Sequence, residues 1–267
     1  MKVQVNGIPV AYTDQGSGPP LVLLHAFPLN RTMWEPQLTA FAARARTIAI
    51  DLRGHGESRP GHTPHTLDDL ATDIKYLLDH LRIERAVFLG LSMGGYILMA
   101  LYRLHPELVK GLVLADTRAQ ADSSEGRAGR FEMIRTAQTL GAAAIADVMM
   151  PRLLSDRTLT SDPGLSAKVR SMIIQNPIET IVADLQAMAS RPDSVPLLAH
   201  IGCPTLVLVG ELDRGTPPSD ARFMADRIPG AHLTVLHGAA HLSNLEEPEA
   251  FNRAVLSFLE EIEGSRG

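Results

Sequence analysis

Short apolar runs alternate along the chain with longer segments in which apolar residues return every three or four positions. The runs fall at residues 3–5, 10–13, 21–24, 47–50, 86–89, 112–114, 205–209 and 233–236. Their length and their Val, Ile and Leu content predict strands, and the periodic segments between them predict helices. Alternation of the two is the pattern of an α/β fold, a mostly parallel sheet covered by helices on both faces. The first two runs read as a hairpin around Asn6-Gly7, a pair that favours tight turns. Between the sixth and seventh runs, residues 117–196 carry helical periodicity with almost no strand signal and end in the Pro-rich return 191–196. That segment reads as a helical cap inserted after the sixth strand. The expected division is a core of residues 1–116 and 197–267 and a cap of residues 117–196.

Composition narrows the class. With 267 residues, 45% of them hydrophobic and 21% charged, the chain can bury the core of one large α/β domain with an insertion. A net charge of -5 offers no basic footprint for nucleic acid. The first residues lack an apolar signal core, and no apolar run approaches the roughly 20 residues that span a bilayer, so a cytoplasmic enzyme without a membrane partner is expected. A single cysteine, Cys203, excludes an internal disulfide and reads as a buried structural thiol.

The chemistry concentrates in a few loops. Ser92 lies in Gly90-Leu91-Ser92-Met93-Gly94, between the run 86–89 and a helix-patterned stretch, residues 96–104. Glycines at that spacing let a strand turn sharply into a helix and push the hydroxyl out at the apex, which makes Ser92 the candidate nucleophile. A serine hydroxyl attacks poorly unless a base and an orienting group activate it. His241 ends the small-residue loop after the last run and is the candidate base. Asp213, in Gly210-Glu211-Leu212-Asp213 after the run 205–209, is the candidate acid that fixes the imidazole's tautomer and stabilises its cation. Attack on an ester carbonyl creates an oxyanion that needs two aimed N–H donors. The expected donors are the backbone amides of Met93, at a helix N-terminus, and Phe27, in the loop His25-Ala26-Phe27-Pro28 after the third run. Pro28 stiffens that loop, and His25 is expected to hold it by hydrogen bonds rather than to transfer protons.

These segments, with Met33-Trp34 and residues 51–58 (Asp-Leu-Arg-Gly-His-Gly-Glu-Ser), resemble the α/β-hydrolase superfamily from about residue 3 to residue 259. The likeness is greatest to bacterial carboxylesterases of about this length. It implies an eight-stranded mostly parallel sheet, the chain order Ser, Asp, His for the triad, and no cofactor. It further implies a serine carboxylesterase that cleaves small to medium-chain esters through an acyl-enzyme. Ala26 stands where such relatives usually have glycine, so that position is expected not to need positive φ. Asp116, after the sixth run, stands where some relatives recruit their acid, but Asp213 matches the commoner pattern. Asp51 and His55 are expected to pin the glycine-rich bend after the fourth strand. Residues 240–248 also resemble the 3-oxoadipate enol-lactonases, which makes enol-lactone hydrolysis the first alternative. Pro28 beside the oxyanion donor resembles perhydrolases, a further alternative. A non-catalytic ligand receptor on the same fold is the alternative of another class. Haloalkane dehalogenases and epoxide hydrolases carry aspartate where this chain has Ser92, and all four tyrosines precede the cap.

The cap is expected to decide the substrate, a small-molecule ester, with Met133, Met149, Leu153 and Met172 as the candidate pocket residues. Nine Lys or Arg face nine Asp or Glu between residues 117 and 195, a balance that points to neutral acyl groups. Trp34, the only tryptophan, is expected to be buried in support of the oxyanion loop. No His pair with a carboxylate lies on a helix, so no metal is assigned. Whether the chain acts as a monomer or a homodimer is open at this level.

Overall fold

The computed structural model describes residues 1–58 and 64–264. All eight apolar runs become strands: β1 (Lys2–Val5), β2 (Ile8–Gln15), β3 (Pro20–Leu24), β4 (Arg46–Ile50), β5 (Ala86–Leu91), β6 (Val109–Ala115), β7 (Thr205–Gly210) and β8 (His232–Leu236). They form one sheet in the order β1-β2-β4-β3-β5-β6-β7-β8. The pairs β1–β2 and β2–β4 are antiparallel, and the other pairs are parallel. The central strands are continuous apolar runs because both faces are covered: residues 21–24, 88 and 89 have no exposed surface, whereas the edge strands β1 and β8 are partly open.

Helices α1 (Glu35–Phe41), α2 (Leu67–Leu81) and α3 (Met93–Leu104) follow successive strands. The last strands are followed by α9 (Pro218–Ala225), α10 (Ser243–Glu246) and α11 (Pro248–Gly264). Thr66 and Asp69 close a reciprocal cap at the start of α2, each side chain bonding the other's backbone N–H. Between β6 and β7 come α4 (Ser124–Leu153), α5 (Asp156–Ser161), α6 (Pro163–Ile174), α7 (Ile178–Ala189) and the short α8 (Val195–Leu198). The first of these is bent, because Gly141 leaves helical geometry at φ 80° and divides α4 into two arms. Helix α4 packs against α6 and α7, so the inserted helices form a layer of their own.

From β3 the chain moves outward to β4, and from β5 it moves to β6 on the opposite side. The carboxyl ends of β3 and β5 therefore flank a crevice where the winding reverses, the usual ligand position in open α/β sheets. The loop His25-Ala26-Phe27-Pro28 leaves β3 there, and Ser92 leaves β5.

Candidate active site

Strand β5 ends at Leu91 and α3 starts at Met93, so the turn is a single residue. Ser92 takes φ 56° and ψ -112°, a left-handed φ that costs a non-glycine residue about 1–3 kcal/mol. Neighbours hold it there. The Ser92 amide donates to Ala115 O at 2.9 Å, and Thr117 Oγ1 donates to Ser92 O at 2.8 Å. Glycine at 94 is obligatory because a Cβ there would stand 2.3 Å from Leu24 O. At Gly90 a Cβ would meet Gly94 O at 2.5 Å. The two glycines thus let α3 leave the sheet closer than any side chain permits.

Ser92, His241 and Asp213 come together in one hydrogen-bonded line. Ser92 Oγ donates to His241 Nε2 at 2.8 Å, and His241 Nδ1 donates to Asp213 Oδ2 at 2.7 Å. Asp213 is saturated: its Oδ1 accepts from the Gly215 and Thr216 amides at 2.8 and 3.0 Å, and its Oδ2 accepts from Thr216 Oγ1 at 2.7 Å. An ionised acceptor on that side forces the neutral imidazole to carry its proton on Nδ1, leaving Nε2 free to receive one. Burial pulls the His241 pKa down, but the charge and hydrogen bond of Asp213 outweigh it and leave the pKa above the ordinary value. Burial likewise opposes ionisation of Asp213, and its bonds to His241 and Thr216 prevail, holding its pKa low.

Asp116 is no bystander. It directly follows β6 at φ 45°, fully buried, accepting from the Gly210 amide at 2.8 Å while its other oxygen bonds Ser243 Oγ. Burial, and then the charge of Asp213, push its carboxyl up to about 8. Two carboxyl groups thus share the site, Asp213 ionised against the imidazole and Asp116 protonated behind it.

The loop after β3 is fixed from several sides. His25 Nδ1 donates to Ala26 O at 2.9 Å, and its Nε2 accepts from the Leu52 amide at 3.1 Å. That arrangement requires a neutral ring, in keeping with a pKa lowered to about 3 by burial and then by His55. Ala26 is not among the positive-φ residues. Its amide donates to Met33 Sδ at 3.4 Å. The Phe27 and Met93 amides have no hydrogen-bond partner among the described residues; Phe27 lines the cavity above Ser92, and Met93 opens the helix directly after Ser92. Trp34 is fully buried, but its ring meets Phe251 of α11 at 6.2 Å. Its neighbour Met33 bonds the loop through the Ala26 amide.

Asn176, between α6 and α7, was not visible as a site residue in the sequence. Its Nδ2 donates to Pro28 O at 2.6 Å and to Met172 O at 3.0 Å, tying the inserted helices to the loop. Glu246 is a second such tie. It accepts from the Ala240 amide at 2.7 Å beside His241 and from the Ser155 amide at 2.8 Å beside α5. Asp184 of α7 is the third, buried between His55 and His65 at Nε2. His55 therefore reaches across to α7 instead of pinning its own bend. Among the side chains, Asp51 pins that bend as expected, accepting from the Arg31 and Glu57 amides at 2.8 Å each. No single-sequence signal marks these ties, because each joins residues far apart in the chain.

A cavity of about 350 Å³ opens over Ser92 and His241. Met133, Met149 and Leu153 line it, along with Phe27 and Tyr96. Met172 does not, contrary to expectation: it is buried within the helical layer with its carbonyl bound by Asn176. Helical periodicity marks an inward face without telling which side of the inserted layer that face meets. Tyr96 lines the cavity from α3. Cys203 is half-buried, and burial pushes its thiol up to about 11. Among the described residues no group of His, Cys, Asp or Glu is arranged to hold a metal, and no helix is long and apolar enough to cross a membrane.

A family model described as the alpha/beta hydrolase fold matches residues 19–248. The chain belongs to the α/β-hydrolase family. This α/β-hydrolase is 32% identical over 241 residues to 3-oxoadipate enol-lactonase 2 of Acinetobacter baylyi, a match that spans 90% of this chain and 88% of that one. Among solved structures it is similar to a thermophilic esterase from Thermogutta terrifontis with malate bound, at TM-score 0.94 and 38% identity over 98% of each chain. It is also similar to the enol-lactonase from Burkholderia xenovorans LB400, at TM-score 0.92 and 32% identity over 97% of this chain and 100% of that one. Hydrolysis is the chemistry these α/β-hydrolases share.

Proposed function

We propose that this α/β-hydrolase is a serine carboxylesterase, with Ser92 as nucleophile, His241 as general base and acid, and Asp213 as the orienting acid. The observation that carries the reading is the hydrogen-bonded line Ser92–His241–Asp213 at 2.8 and 2.7 Å, opening on the cavity. Ser92 Oγ bonds to the ester carbonyl carbon while its proton passes to His241 Nε2. The free amides of Phe27 and Met93 receive the oxyanion. As the C–O bond to the alcohol breaks, His241 protonates the departing oxygen. It then takes a proton from water as the water oxygen attacks the acyl carbon, and returns that proton to Ser92 Oγ as the acyl–Oγ bond breaks and the acid leaves.

A lactone is a cyclic ester and follows the same steps with its leaving oxygen still attached. The 32% identity to the A. baylyi enol-lactonase supports enol-lactone hydrolysis as a second reading. An organophosphonate tests the common mechanism. It should modify Ser92 at one equivalent and abolish turnover of p-nitrophenyl acetate, with EDTA having no effect. Labelling elsewhere, or a requirement for metal, overturns the assignment. A binding protein on this fold would give no burst of p-nitrophenol.

A further inference from the structure

The balanced charge of residues 117–195 does not describe the cavity they help to build. Three guanidiniums, those of Arg118, Arg130 and Arg152, stand on its wall. The carboxylates there are Asp122 and Glu125. The side chain of Asp122 is only 1% exposed and already engages Arg130, Arg191 at 2.8 Å and, more distantly, Arg118 at 3.5 Å. Glu125 is exposed in the first turn of α4 and accepts from Ser124 Oγ at 3.0 Å. Arg118 bonds the Tyr96 side chain, but its ion-pair contacts are long, the one to Asp122 and another to Asp220 at 4.0 Å, and its Nε has no hydrogen-bond partner among the described residues. Arg152 is exposed at the end of α4, beside the buried Leu153, and forms no ion pair with a described residue. Arg118 and Arg152 thus line the space above Ser92, and neither is held in a close ion pair with a described residue. A guanidinium presents its N–H groups as a planar fork that matches a carboxylate.

We propose that the cavity selects half-esters of small dicarboxylic acids, Arg118 and Arg152 holding the free carboxylate while Ser92 attacks the ester carbonyl at the other end. This rests on the esterase reading and gives it a substrate class. The charge belongs on the acyl half because that half remains in the cavity through both acylation and deacylation, whereas the alcohol departs after the first. A contact kept through both steps helps both.

The test compares the monoethyl ester of glutaric acid with its neutral isostere, in which an isopropyl group replaces the carboxylate, followed by proton release at low ionic strength. Wild-type protein should prefer the charged ester in kcat/KM by at least about tenfold, the usual scale of a charge-assisted hydrogen bond. That preference, read as a ratio within each variant, should fall about tenfold in Arg152→Gln, whose exposed position spares the fold, and further in Arg118→Gln/Arg152→Gln. Equal or better use of the neutral ester by the wild type removes the proposal and leaves the esterase reading intact. A strong preference that neither variant moves also removes it. Failure to turn over either ester, with Ser92 inert to phosphonate, removes both together.

Discussion

His241 stands between two carboxyl groups of opposite protonation state, and substitutions at the two should behave very differently. Asp213 touches Nδ1 at 2.7 Å, whereas Asp116 bonds only Gly210 and Ser243. Asp213→Asn should cut kcat by about three to four orders of magnitude, the effect of losing the productive tautomer in other triads. Asp116→Asn should cost far less, because asparagine reproduces the neutral carboxyl in shape and hydrogen bonding. Wild-type pH profiles carry a related signature. Only neutral His241 accepts the serine proton, and Asp213 raises its pKa, so activity should rise with pH through a midpoint above 6.5. Kinetics of the wild type and both variants across pH check these outcomes. A larger loss for Asp116→Asn than for Asp213→Asn would make Asp116 the orienting acid, and a midpoint below 6.5 would mean that Asp213 does not stabilise the imidazolium.

The inserted helices are tied to the core by several hydrogen bonds, and one of them reaches the loop after β3. With Asn176→Ala, Pro28 O loses its 2.6 Å donor, and the adjoining Phe27 amide is free to drift from the position an oxyanion needs. We expect kcat to fall by about tenfold to a hundredfold with secondary structure unchanged, since small misplacements of catalytic groups cost on that scale. Unchanged kcat in a folded variant would show that the inserted layer does not position the loop. The helices themselves were legible in the sequence from their three-to-four residue apolar spacing, and the strands from their continuous apolar runs. Ser92, His241 and Asp213 were legible because each follows a strand signal, so the pattern that located the strands also located the loops at their carboxyl ends. Asn176, Asp184 and Glu246 were not, since a polar residue gives no periodic signal and its partners lie on other elements. Met172 was expected in the pocket and lies outside it for a similar reason. Periodicity identifies the buried face of a helix, but the surface that buries it is a property of the assembled layers.

Across the whole molecule, buried titratable groups tie stability to pH in the direction opposite to activity. Native Asp116 keeps its proton up to about 8, whereas an unfolded chain releases it near 3.8. Between those values the native state binds the extra proton, so this contribution is complete below 3.8 and is lost as pH rises toward 8, by at most about 1.4 kcal/mol per pH unit. His55 adds to the trend. Burial opposes its charge, but Asp184 outweighs burial and raises its pKa, so its contribution is complete below 6.5 and fades as pH climbs through the native value. Asp184, with its lowered pKa, loses its contribution in acid below 3.8, and His25, lowered to about 3 by burial and then by His55, costs stability as pH falls below 6.5, which together place the stability maximum on the mildly acidic side. Scanning calorimetry should therefore show Tm falling between about pH 6 and pH 9 while activity rises. Asp116→Asn isolates the largest cause. Its amide oxygen can still accept from the Gly210 amide and its N–H can donate to Ser243 Oγ, so the neutral arrangement is kept at every pH. The variant should lose less Tm than wild type on going from pH 6 to 9. Parallel declines in the two proteins would mean that Asp116 is already ionised in the native state near neutrality, and that Asp213 and Asp116 share the site as two charges.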